Sequence, residues 1–72
     1  MEFSYFTNQL DGMYRKFQEA FTLNSHTSAV YECENFEYQF ILTPEGVKVT
    51  VVNEDGQVVA RLYRKSGEWE EQ

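Results

Sequence analysis

From Phe36 to Leu62 the apolar residues fall on every second position in three runs: Phe36, Tyr38, Phe40 and Leu42, then Val47, Val49 and Val51, then Val58, Ala60 and Leu62. Alternation of this kind marks strands with one face buried. The runs are separated by Thr43, Pro44, Glu45 and Gly46 and by Asn53, Glu54, Asp55 and Gly56, residues suited to turns. Folding the chain at these breaks sets Leu42 opposite Val47, Phe40 opposite Val49 and Tyr38 opposite Val51. The second break sets Val51 opposite Val58, Val49 opposite Ala60 and Val47 opposite Leu62, all on one face.

Upstream, Ala29, Tyr31 and Cys33 are apolar on odd positions, so the pattern slips by one at Glu34 and Asn35. A straight strand cannot change parity without turning its apolar set to the wrong face. A tight turn is preferred because it pairs Cys33 with Phe36, Tyr31 with Tyr38 and Ala29 with Phe40; a bulge within one long strand is the alternative. Before this, Phe3, Phe6, Leu10, Met13, Tyr14, Phe17, Ala20 and Phe21 recur at spacings of three and four. They cover an arc of roughly 120°, as on a helix lying against a core.

The predicted architecture is α+β: an N-terminal amphipathic helix over about 4–22, packed on one face of a four-stranded antiparallel meander in two layers. The strands are placed at about 28–33, 36–43, 47–53 and 57–64, followed by an acidic tail over 65–72. All 72 residues form a single domain. A domain this small buries only about 60% of the surface its unfolded chain exposes. Disulfides and metal sites are unavailable to reinforce it, since Cys33 and His26 are the sole cysteine and histidine. The six Phe, five Tyr and one Trp supply much of the area it can bury.

The net charge of −6, from twelve acidic against six basic residues, opposes direct binding to nucleic acid or to an anionic membrane. A single cysteine and no apolar leader point to a reducing cytoplasm, and no apolar run approaches the roughly 20 residues of a membrane span. Catalysis has little support: Cys33 falls on the inward face, His26 stands in a polar connection, and no phosphate loop, nucleophile elbow or metal-ligand spacing is present. No cofactor is expected.

The second face of the sheet is more suggestive, because Ile41, Val52, Val59, Arg61 and Tyr63 make it less polar than a merely solvated face. With Trp69, an aromatic among acids, they form the candidate contact surface of a small acidic cytoplasmic interaction module. Such a module would act as a regulator or inhibitor by occupying a protein partner, and a second copy of the chain is one candidate. An alternative reading rests on Glu32, Glu34 and Glu37 around the first turn, as an acidic nucleic-acid mimic that blocks a DNA- or RNA-binding enzyme. A third is a small-ligand-binding domain with a cavity between helix and sheet.

Overall fold

The computed structural model describes residues 3–72, with side chains from Tyr5 onward. Helix α1 spans Phe3–Asn24, and strands β1 Ser28–Cys33, β2 Phe36–Thr43, β3 Gly46–Val52, β4 Val58–Lys65 and β5 Glu68–Glu71 follow. All neighbouring strands are antiparallel and their order in the sheet is the order in the chain. The fold is one helix against a five-stranded meander, so the acidic tail adds a strand to the four expected.

Phe6, Leu10, Met13 and Phe17 of α1 are buried against Tyr38, Phe40, Val47, Val49, Val51 and Leu62. Aromatic contacts join the layers: Phe6 meets Phe36 edge-on with ring centroids 5.6 Å apart, and Phe17 meets Phe40 at 5.4 Å. Phe21, expected in the core, is half-exposed at its margin, where it lines a groove with Phe17, Leu42 and Val47, and Leu23 is exposed. The helix stops where Ser25 takes a left-handed conformation and its N–H donates to the Phe21 carbonyl at 2.9 Å.

The first hairpin is a tight turn rather than a bulge. Glu34 and Asn35 both have positive φ (50° and 70°), and Cys33 faces Phe36. That is the two-residue turn whose twist matches the strands it joins. The last hairpin repeats the device: Ser66 and Gly67 have φ of 56° and 84°, and Lys65 faces Glu68. At the second, Thr43 faces Gly46 across Pro44 and Glu45, and the Thr43 hydroxyl donates to the Gly46 carbonyl at 2.7 Å.

One register differs from expectation. Val47 faces Arg64, Val49 faces Leu62 and Val51 faces Ala60, two residues on from the predicted partners. The loop from Asn53 to Gln57 is one residue longer than predicted, and an irregularity between Val51 and Val52 adds another. A shift of two keeps Val47, Val49, Val51, Ala60 and Leu62 on the helix-facing side. Val58, expected on that side, faces Val52 beyond the irregularity and is exposed, and the neighbours across the outer face change as well.

Candidate functional site

Opposite the helix, the sheet presents Val30 from β1, Ile41 and Gln39 from β2, Lys48, Thr50 and Val52 from β3, and Val59, Arg61 and Tyr63 from β4. Val30, Ile41 and Val59 are exposed at 58%, 51% and 42%, apolar side chains on the face turned to solvent. The shifted register determines who sits beside whom. Lys48 lies between Ile41 and Tyr63, and Thr50 lies between Gln39 and Arg61. Tyr63, and not Arg61, is the cross-strand neighbour of Lys48, and the two cations are separated by a row.

Trp69 does not join this surface. It faces Arg64 in the β4–β5 pair, and its ring is edge-on to Tyr14 of the helix at 5.7 Å and to Phe40 at 6.4 Å. The Arg64 guanidinium covers both rings, 4.5 Å from the Tyr14 centroid and 5.4 Å from that of Trp69. Since β2 and β5 are three strands apart, roughly 14 Å in a flat sheet, the Phe40–Trp69 contact reflects both the curl of the sheet and the inward lean of the two rings. Ile41, Val52, Val59, Arg61 and Tyr63 thus share one face, and Trp69 lies on the other.

The meander brings alternate turns to the same end, which places Glu54 and Asp55 of the β3–β4 loop near the β1–β2 turn. Glu32, Glu34, Glu37 and Glu54 line one shallow groove of about 460 Å³ there, together with Cys33, Asn35, Phe36 and Asn53. Glu32 and Glu37 are direct cross-strand neighbours, an arrangement that costs stability through like-charge repulsion. Gln39 relieves part of this by donating to the Glu37 carboxylate at 2.6 Å. The Glu34 carboxylate accepts a hydrogen bond from the Tyr5 hydroxyl, which holds that phenol above its ordinary pKa. That Glu54 joins the cluster of Glu32, Glu34 and Glu37 is visible only once the topology is known, because Glu54 and Glu34 are twenty residues apart in the chain.

The residues considered for chemistry stay apart. Cys33 is half-buried and its thiol lies 3.4 Å from the Gln9 side-chain oxygen, while His26 is exposed before β1. Six residues of largely extended chain lie between them, a span of roughly 20 Å. Among the described residues no cluster of three or more His, Cys, Asp or Glu could hold a metal ion. No helix of the described residues is long and apolar enough to cross a membrane. The chain matches no known protein family, no curated protein and no solved structure.

Proposed function

We propose that the protein is a protein–protein interaction module that engages a partner through the outer sheet face, centred on Ile41, Val52, Val59, Arg61 and Tyr63, and regulates or inhibits that partner by occupying it. The supporting observation is the apolar surface left open on a sheet whose own helix and only Trp are both committed to the opposite side. Ile41 beside Lys48 and Tyr63 at one end, and Val52 and Val59 at the other, supply apolar contacts on either side of the polar row Gln39, Thr50 and Arg61, a mixture of the kind found in non-obligate protein contacts. Catalysis forms no part of this reading.

A second reading is favoured by the acidic end: Glu32, Glu34 and Glu37, joined by Glu54, could occupy the basic groove of a DNA- or RNA-binding enzyme in place of phosphates. Two variants separate the readings. Ile41→Asp with Val59→Asp removes the outer apolar surface, and Glu32→Lys with Glu37→Lys inverts the acidic end. Capture from native cell extract, with retained proteins identified by mass spectrometry, should lose its partner with the first variant and keep it with the second. The reverse pattern supports the acidic reading, because contacts made by exposed charge respond to charge reversal and to salt. Retention by neither wild type nor variant refutes both.

A further inference from the structure

The two edges of the sheet differ. Strand β5 is four residues long and three of them are Glu, a short and charged edge of the kind that resists pairing with other chains. Strand β1 is six residues long, runs in unbroken register with β2 and carries a single charge, Glu32. Its backbone direction is set by the Leu42 N–H, which donates to the Thr27 carbonyl at 2.8 Å. Thr27 therefore turns its backbone toward β2, and by the alternation of an antiparallel ladder so do Ala29, Tyr31 and Cys33. Ser28, Val30 and Glu32 turn theirs outward. No turn, loop or side-chain hydrogen bond among the described residues reaches those outward groups, and Val30 between them is 58% exposed.

We propose that β1 pairs antiparallel with β1 of a second copy, Val30 facing Val30, so that two five-stranded sheets become one continuous sheet of ten. The strand is complementary to itself in that register. Residues facing each other across an antiparallel pair lie on the same sheet face, so even positions must meet even and odd meet odd. Centring on Val30 sets Ser28 against Glu32 of the second copy, hydroxyl to carboxylate, and Ala29 against Tyr31, small against large. It also brings all three outward-facing residues into hydrogen-bonded pairs, each exchanging two bonds. Centring on Tyr31 would set Val30 against Glu32 and ring against ring, and a further step would set Glu32 against Glu32, with like charges opposed. The contact uses the sheet edge and needs neither Ile41 nor Val59, so it stands independently of the outer-face reading.

The register is tested by cross-linking in a Cys33→Ser background. Facing residues of a hydrogen-bonded pair have Cα atoms about 5.5 Å apart, within disulfide reach. Oxidised Val30→Cys is expected to run as a covalent dimer. Glu32→Cys is expected to form no covalent dimer, because its two copies are offset by roughly 13 Å along the strand. Sedimentation equilibrium of the unmodified chain should give about twice the 8.5 kDa chain mass. Val30→Pro removes an N–H that the monomer does not use and should return the mass to 8.5 kDa with unchanged circular dichroism; should it misfold, Val30→Lys sets two like charges face to face with the same expected effect. A mass of one chain at every concentration overturns the proposal, as does a dimer that survives Val30→Lys, or cross-linking of Glu32→Cys. A dimer abolished by Ile41→Asp and untouched by Val30→Lys also overturns it and places self-association on the outer face.

Discussion

Trp69 stands edge-on to Tyr14, ring centroids 5.7 Å apart at 83°, and this contact ties strand β5 to the middle of helix α1. Arg64, directly across the β4–β5 pair from Trp69, lies over both rings. The contact explains why four residues with three carboxylates form a strand at all. Their intrinsic preference for strand is poor, and packing of one large ring together with a two-residue turn outweighs it. It also decides what the outer face is, since the residue most able to cover that face is held on the other side.

Trp69→Ala should accordingly act on stability and not on the outer surface. Deleting a buried Trp or Phe ring costs about 3 to 5 kcal/mol, and Trp69, being only partly buried, should fall near the lower figure. Urea unfolding followed by circular dichroism gives the value. Partner capture should persist at temperatures where the variant is folded; a variant of unchanged stability that has lost its partner would contradict the packing role.

Gly12 and Gly46 should respond to alanine in opposite directions. Gly12 lies exposed within α1 and an added Cβ would meet nothing within 4 Å, so Gly12→Ala should gain about 0.8 to 1 kcal/mol from helix propensity. At Gly46 the φ is +145° and a Cβ would come 2.3 Å from the Arg64 carbonyl oxygen, a backbone atom that cannot step aside without disturbing the β3–β4 ladder. Gly46→Ala should lose at least the roughly 1 to 3 kcal/mol of a strained backbone position. Paired urea titrations of the two variants test the contrast.

Asn53 organises the β3–β4 loop from within. Its side-chain oxygen accepts the N–H groups of Asp55 and Gln57, each at 3.0 Å, and its amide donates to the Gln57 side chain at 3.1 Å. Asn53→Ala should cost about 1 kcal/mol and speed hydrogen exchange at Asp55 and Gln57 while leaving β1 and β2 amides unchanged. Equal acceleration across the whole sheet would mean that the loop does not act locally.

The parity slip at Glu34 and Asn35 is legible because a change of phase has few geometric solutions, and the partners it demands are the observed ones. The helix and the three later strands follow from long periodic runs. Three things were hidden, each for a physical reason. Strand β5 carries one apolar residue, so no period exists to read. The β3–β4 register depends on loop length plus an irregularity, and the even total of their displacement leaves Ala60 and Leu62 on the buried face while Val58, next to the irregularity, is turned out of the core. Phe21 sits at the margin of the core beside Leu42 and Val47, and how far the core reaches along the helix is set by the sheet, which no property of α1 encodes. Of the candidate contact residues, those on alternate strand positions could be assigned to a face by counting; Trp69 could not, because its side is set by its pairing with Arg64.

Tyr38 makes the fold sensitive to alkali. Its side chain is fully enclosed and its hydroxyl has no hydrogen-bond partner among the described residues. Burial, with smaller contributions from Cys33, Tyr5 and Glu34, pushes the phenol up from 10.0 to about 12. Between these values the unfolded chain releases a proton that the folded chain retains, so stability is intact below pH 10 and declines as pH rises toward 12. Tyr31, raised by burial, and Tyr5, raised by its bond to Glu34, act in the same direction. Tyr38→Phe removes both the titration and an unpartnered buried hydroxyl, and should add about 1 kcal/mol at neutral pH. Urea midpoints measured from pH 7 to 11.5 should fall more steeply above pH 10 in the wild type than in the variant; parallel curves would show that the Tyr38 hydroxyl is hydrated, and the enclosed position assigned to it would be wrong.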